Sequence, residues 1–302
     1  MTTQKGATIS LVLGSGGARG LAHIGVIRWL EEHDFRIASI AGCSMGALVG
    51  GIYAAGRLDE FEQWIRAITK VHMVTLLDIA WKKTGLVKGD RIINTLVELI
   101  GDQVIEDLTI SYTAVASDIK HGKEVWINSG RLFDAIRASM SLPLFFTPFT
   151  RNGVDLIDGG VLNPVPIAPT FSDTTELTIA VNLGGPVEDT VTQRSAPRQP
   201  SNDSHHIGEM VSRFINRFHL PKMDKDSSWD WGAYDIANQA FDVMQETIAR
   251  QKLAAYPPDH IIEIARNACG ILEFDRAAEL IELGYRKAGE HMDHVIDTGR
   301  KQ

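Results

Sequence analysis

Residues 9–27, ISLVLGSGGARGLAHIGVI, decide the fold that we expect of this chain. An apolar run at Ile9–Leu13 stops at a glycine-rich turn, and apolar residues then recur at helical spacing. A strand that leads through a glycine turn into a helix presents unpaired backbone N–H groups to a negative group. The stretch therefore predicts an anion site beside the first strand. The anion is either a nucleotide phosphate or an oxyanion that exists only during a reaction.

The composition of the 302-residue chain, with 44% hydrophobic and 23% charged residues, is typical of a globular protein. A formal net charge of −8 argues against nucleic acid as a partner. Cys43 and Cys269 exclude a disulfide framework and favour a reducing compartment. The sequence shows neither a signal peptide nor a run of about 18 apolar residues. We expect a cytoplasmic protein that can still rest on a membrane surface.

Strand-like and helical patterns alternate through the first 185 residues. Strands are predicted at 9–14, 37–44, 112–118, 124–130, 154–160 and 177–185, and helices at 20–33, 45–55 and 130–140. This order predicts an α/β fold with a central, mainly parallel sheet and helices on both faces. Residues 186–206 are rich in Pro, Ser, Asn and Asp and predict a mobile loop or linker. Residues 207–302 carry three helical stripes, at 207–218, 237–248 and 274–285, and one strand, at 260–265.

Gly42-Cys43-Ser44-Met45-Gly46 has the form G-x-S-x-G and lies between a predicted strand and a helix of small residues. So tight a turn pushes the serine side chain outward, and flanking glycines remove the Cβ atoms that would clash. The helix N-terminus favours the negative charge that develops on attack. Ser44 is therefore predicted to be a catalytic nucleophile. The alternative is a serine that only caps the helix.

A catalytic serine needs a base, and two kinds of candidate are present. The chain order Ser…Asp…His would place a histidine late, at His260, His291 or His294, although the pattern around each is typical of a solvated histidine. Asp158 instead closes a predicted strand and precedes two glycines, at the sheet edge where α/β proteins place their sites. The alternative for Asp158 is a turn residue before glycine.

Three motifs, in this order, resemble the patatin-like phospholipase family, in the small bacterial branch related to neuropathy target esterase. They are residues 14–20 (GSGGARG), residues 42–46 and residues 158–160 (DGG), and the resemblance covers about residues 9–185. It implies a three-layer fold with a catalytic core at 8–185. It also implies that 207–302 complete the same domain after the 186–206 linker.

The resemblance further implies a Ser–Asp dyad, with Ser44 as the nucleophile and Asp158 as its general base. The backbone amides of Gly16, Gly17 and Ala18, together with that of Met45, would form the oxyanion hole. The motif residues expected to support the site are Gly14, Ser15, Arg19, Gly20, Gly42, Gly46, Gly159 and Gly160. Ser15 departs from the three successive glycines of plant patatins, and a serine does not adopt positive φ cheaply.

The implied reaction is hydrolysis of a lipid carboxylic ester, of the phospholipase A or lysophospholipase type, on a lipid or lysophospholipid, without metal or cofactor. Leu144, Phe145 and Phe146 lie in an irregular apolar segment and either line an acyl-chain cleft or pack in the core. An aspartate of ordinary pKa is a poor base for a hydroxyl, so we predict Asp158 to be enclosed. Asp118 is predicted to fix its own loop.

Two further functions stay open at this point. One is a weakly active regulatory or scaffold protein of the same fold. The other is a dinucleotide-binding oxidoreductase, because Gly14-x-Gly16 followed by Glu31 or Glu32 imitates a nucleotide fingerprint. That second function leaves the motifs around Ser44 and Asp158 unexplained. The oligomeric state is left open.

Overall fold

A computed structural model of the chain describes residues 6–68, 89–143, 145–188 and 231–299. Leu144, the predicted helix at 207–218 and nearly all of the predicted linker lie outside the described residues.

One sheet contains every strand of the described residues. The strands are β1 (Thr8–Leu13), β2 (Arg36–Cys43), β3 (Ser111–Asp118), β4 (Lys123–Ile127), β5 (Phe149–Arg151), β6 (Val154–Asp158), β7 (Leu177–Gly185) and β8 (His260–Ala265). They pair as β5-β6-β3-β2-β1-β7-β8, with β4 also paired to β3. The pairs among β3, β2, β1, β7 and β8 are parallel, and those of β4, β5 and β6 are antiparallel. The predicted mainly parallel sheet is thus confirmed.

Seven α-helices surround this sheet in the described part of the chain. They are α1 (Ala22–Glu32), α2 (Met45–Ala54), α3 (Leu58–Arg66), α4 (Asp90–Ile100), α5 (Leu132–Ser139), α6 (Trp231–Ala255) and α7 (Ala277–Gly299). Helices α3 and α4 are absent from the elements predicted from the sequence. Their sequences nevertheless carry the signal, because the buried residues of α3 are Leu58, Phe61 and Ile65, at helical spacing.

Helices cover both faces of the sheet, as the alternation of buried side chains along β1 shows. Leu11 and Leu13 pack in the larger core, which also contains residues of α1, α2, α5 and α7. Val12, between them, packs in a second cluster that includes Ala249 of α6. Because successive side chains of a strand point to opposite faces, these two clusters lie on opposite sides of the sheet. The predicted three-layer α/β architecture is confirmed.

Helix α7 packs against α1 with direct contact between the two backbones. A Cβ atom added at Gly25 of α1 would lie 1.8 Å from the Ile281 carbonyl oxygen, and one at Gly284 of α7 would lie 1.9 Å from that of Ala22. Glycine is therefore required at both crossing points. In addition, β8 extends the sheet beside β7. The predicted domain boundaries at residues 185 and 206 remain predictions.

Substituting Gly25→Ala tests this contact. Helix propensity alone would raise the free energy of unfolding by about 1 kcal/mol. We expect instead a fall of roughly 3 kcal/mol or more, because the methyl group meets a backbone carbonyl that cannot move alone. Urea unfolding followed by circular dichroism measures the change. Gly184→Ala is the control, since its nearest atoms would lie 3.5 Å away, and a fall of the same size there would contradict the assignment.

Candidate active site

The residue that follows β2 has an unusual backbone conformation. Ser44 adopts φ 54° and ψ −119°, in a region that side-chain-bearing residues rarely occupy. A Cβ atom at Gly46 would lie 2.0 Å from the carbonyl oxygen of Leu13, so the turn is closed tightly against β1. The Ser44 side chain caps no amide of α2, which contradicts the capping alternative. The geometry is that of a strained strand-to-helix turn that projects its serine.

Pairing along β3 explains why the end of β6 lies beside this turn. Val115 pairs with Cys43 of β2 and Trp126 of β4, whereas the next residue, Ala116, pairs with Val125 of β4 and Asp158 of β6. Since β4 pairs with both Val115 and Ala116 along one edge of β3, β2 and β6 must share the other edge. Asp158 therefore lies directly beyond the end of β2.

Asp158 is fully buried, which confirms its predicted enclosure. Its Oδ1 accepts a hydrogen bond from the Gly160 amide at 2.7 Å and lies 3.9 Å from the Cys43 sulfur. The Ser44 side chain is near enough to the carboxylate to lower its pKa, whereas Oδ2 is buried without a hydrogen-bonded partner. Burial raises the pKa of Asp158 to about 6, against the opposing effect of Ser44, Gly160 and Cys43.

The glycine-rich loop after β1 offers fewer amides than the sequence predicted. The amides of Gly14 and Ser15 donate to the carbonyls of Val181 and Pro164, at 3.1 and 2.8 Å. The Ala18 amide donates to the Ile271 carbonyl at 2.8 Å, so the expectation that Ala18 belongs to the oxyanion hole is wrong.

The remaining predicted donors are the amides of Gly16, Gly17 and Met45. They start a 3-10 turn and helix α2, where backbone N–H groups have no partner within the helix. Gly17, Met45 and Ser44 line the same cavity. Gly17 has a positive φ, of 56°, whereas Ser15 does not. A serine in place of glycine at position 15 therefore introduces no backbone strain.

Buried side chains orient the carbonyl groups of this loop. Arg19 donates from Nε to the Gly16 carbonyl at 3.1 Å, from Nη1 to the Arg266 carbonyl at 2.6 Å and from Nη2 to Asp242 at 3.1 Å. The carbonyl and the N–H of one peptide point in opposite directions, so this bond turns the Gly17 N–H away from Arg19. His23 donates from Nε2 to the Gly14 carbonyl at 2.9 Å, and burial lowers its pKa to about 4.

The glycines of the three motifs are all in close contact with other groups. A Cβ atom would lie within 2.8 Å of a neighbouring heavy atom at each of Gly14, Gly16, Gly17, Gly20, Gly42, Gly46, Gly159 and Gly160. At Gly160 the nearest atom is Nε2 of Gln245, which also donates to the hydroxyl of Ser15 at 3.2 Å. The three motifs therefore form one packed unit.

An apolar cavity of about 660 Å³, including its open mouth, adjoins Ser44. Phe145 and Phe146 line it as an edge-to-face pair with ring centroids 4.7 Å apart, whereas Leu144 lies outside the described residues. The remaining lining comes from residues of α2, α3 and α4, from Met140 and Leu142, and from Ile271, Leu272 and Phe274. Helices α3 and α4 and the segment from Ile271 to Phe274 are not among the predicted site residues, although the apolar stripe of α3 is visible in the sequence.

The histidines that the structure describes are engaged away from Ser44. His260 is the first residue of β8. It therefore lies at the amino ends of the parallel strands, whereas Ser44 follows the carboxyl end of β2. The ring of His260 contacts that of His291. His33 bonds the Trp29 carbonyl, and His121 bonds Asp118. The late-histidine triad is thus contradicted for His260 and His291, and the side chain of His294 lies outside the description. Asp118 accepts bonds from the amides of Lys120 and His121, which confirms that it fixes its loop.

Comparison with known proteins gives a consistent match. The model of the family described as patatin-like phospholipase matches residues 11–171. NTE family proteins of Mycobacterium bovis and Mycobacterium tuberculosis are each 36% identical over 94% of this chain and 91% of their own length. Lysophospholipase NTE1 of Yarrowia lipolytica is 33% identical over 61% of this chain but only 13% of its own length. Within the described residues, no helix has the length and apolarity needed to span a membrane.

Asp158→Asn tests the cost of burying this carboxylate. The pKa of about 6 in the folded protein exceeds the ordinary value of 3.8, so the wild type loses stability as pH rises between these values. We therefore expect the variant to exceed the wild type in unfolding free energy by about 3 kcal/mol at pH 7, with the difference vanishing below pH 4. Urea unfolding at both pH values measures it, with the exposed Asp155→Asn on β6 as control. A variant that is less stable than the wild type at pH 7 would contradict the assignment.

Proposed function

The chain belongs to the patatin-like phospholipase family, and we propose that it cleaves a lipid carboxylic ester with Ser44 as nucleophile and Asp158 as base. The reaction is of the phospholipase A or lysophospholipase type, and the fungal relative is named a lysophospholipase. One observation carries the proposal. A serine in a strained turn lines an apolar cavity and lies beside a buried carboxylate.

The first step transfers the Ser44 hydroxyl proton to the Asp158 carboxylate while the serine oxygen attacks the ester carbonyl. A base is most effective when its pKa lies near the working pH, and the pKa of Asp158, at about 6, is closer to neutrality than that of an exposed aspartate. The buried Oδ2 has no other hydrogen-bonded partner, which leaves a lone pair for this proton.

The tetrahedral intermediate places a negative charge on the former carbonyl oxygen. The amides of Gly17 and Met45, with that of Gly16, are the donors that we assign to this oxyanion. Each such fixed donor contributes about 3 kcal/mol in measured oxyanion holes. Arg19 supports the arrangement from behind, because it holds the Gly16 carbonyl while its charge is paired with Asp242.

Collapse of the intermediate breaks the ester C–O bond, and the proton on Asp158 passes to the leaving alcohol. The acyl group stays on Ser44 with its chain in the cavity between α3, α4 and residues 140–146. Water then attacks the acyl-enzyme while Asp158 takes a proton from it. The bond between the acyl carbon and the Ser44 oxygen breaks, Asp158 returns the proton to that oxygen, and the fatty acid is released. This assignment makes Phe145 and Phe146 part of the acyl cleft.

Ser44→Ala and Asp158→Asn are expected to lower the kcat for hydrolysis of p-nitrophenyl esters and lysophosphatidylcholine by roughly 1,000-fold or more, since each removes a reacting group. His260→Ala, His291→Ala and the exposed Asp155→Asn should each change kcat by less than about threefold. The kcat/KM values for esters of short and long acyl chains, measured side by side, show which chain lengths the cleft accepts. Fluorophosphonate labelling of the folded wild type at Ser44 is the companion measurement. Folded protein that neither labels nor hydrolyses any of these esters would favour the regulatory or scaffold protein instead.

The pH dependence of kcat/KM tests the identity of the base. Asp158 acts only when ionised, so the rate should rise tenfold per pH unit below its pKa of about 6 and level off above it. Ionisation of a carboxyl group has almost no enthalpy change, whereas loss of a proton from an imidazolium group has a large one. If Asp158 is the base, the midpoint of the pH profile should therefore stay at the same pH between 15 and 35 °C. A midpoint that moves to lower pH on warming would instead indicate a histidine base.

A further inference from the structure

Ser139, the last residue of α5, touches the backbone of the nucleophile. Its side chain is fully buried, and its hydroxyl oxygen accepts a hydrogen bond from the Ser44 amide at 2.9 Å. The same hydroxyl donates to the Val115 carbonyl at 2.6 Å. Because its one proton is used by Val115, the oxygen can only accept from Ser44. The direction of both bonds is therefore fixed.

The bond to Ser139 acts where the backbone is under strain. Ser44 has a φ of 54°, and such conformations persist only where the surroundings hold them. If the amide of Ser44 lost its acceptor, the peptide between Cys43 and Ser44 could rotate toward a relaxed conformation. That rotation would displace the Ser44 side chain from the carboxylate of Asp158.

The same end of α5 also holds the base. The carbonyl of Ser141 accepts a hydrogen bond from the Asp158 amide at 2.9 Å. Val115, the acceptor of the Ser139 hydroxyl, also lies against the turn after Asp158, since a Cβ atom at Gly159 would come within 2.1 Å of its carbonyl oxygen. Residues 139–141 thus bind the amides of both reacting residues.

We propose that Ser139 is a positioning residue, which fixes the Ser44 backbone through its hydroxyl and so sets the separation between the nucleophile and Asp158. The inference rests on the proposed function of these two residues. Ser139 is not among the residues that line the apolar cavity. Its loss should therefore lower kcat and leave KM unchanged, because substrate binding does not depend on it.

The experiment compares Ser139→Ala with Ser10→Ala. Ser10 is also fully buried, and its hydroxyl is hydrogen-bonded to Asp173 and Thr175, both at 2.7 Å, away from the site. Both variants lose one buried hydroxyl with two partners, so both should lose similar stability. We expect Ser139→Ala to lower kcat between about 10- and 100-fold at unchanged KM, and to slow fluorophosphonate labelling of Ser44 as much. Ser10→Ala should keep the wild-type values below its melting temperature.

Ser139→Cys and Ser10→Cys form a second pair for the case that an alanine variant does not fold. A thiol is a weaker acceptor than a hydroxyl, so kcat should be highest in the wild type, lower in Ser139→Cys and lowest in Ser139→Ala. Equal kcat values in the Ser139 and Ser10 variants would overturn the inference. Ser44→Ala, assayed in parallel, separates the two proposals. If Ser44→Ala is inactive while the Ser139 variants match the Ser10 variants, only the positioning role fails, and if Ser44→Ala stays active, the proposed function fails.

Discussion

The site depends on one feature of sheet pairing, namely that two strands end against the same edge of β3. Strand β2 pairs with β3 as far as Cys43, and antiparallel β6 takes over that edge at the next residue of β3. Each strand is followed by a turn of small residues. The ends of the two strands therefore lie next to each other because of strand pairing alone, without a loop to position them. Hydrogen bonds of the sheet itself bring Ser44 and Asp158 together, and Ser139 and Ser141, at the end of α5 and just after it, accept hydrogen bonds from the two amides.

This arrangement places several features that destabilise the folded state at one point of an otherwise well-packed fold. Ser44 has a strained backbone, Asp158 is a buried carboxyl group with one oxygen lacking a hydrogen-bonded partner, and Cys43 lies against it. The two cores on either side of the sheet offset this strain. Buried polar side chains with a shifted pKa, located in a cleft, are typical of active sites. If such a position had only a structural role, an apolar side chain would be favoured there.

The parts that could be predicted from the sequence are those fixed by neighbours along the chain. The turn at Ser44 and the strand ending at Asp158 each carry their glycines within a few residues, and the alternating strands and helices gave the sheet. Two of the failures involve partners distant in sequence. The Ala18 amide is bound by Ile271, and no pattern near residue 18 reveals a carbonyl from the far end of the chain. The role of Ser139 could not be predicted for the same reason, since its partners lie in the turn after β2 and on β3.

The bond from Ala18 to Ile271, together with the backbone contact between α1 and α7, also bears on biosynthesis. A nascent polypeptide that has emerged only as far as α6 already contains Ser44, Asp158 and the glycine-rich loop. It still lacks the Ile271 carbonyl, which accepts the bond from this loop, and the side chains of Ile271, Leu272 and Phe274, which line the cavity. The glycine-rich loop and the wall of the cavity are therefore complete only after β8 and the following segment have left the ribosome.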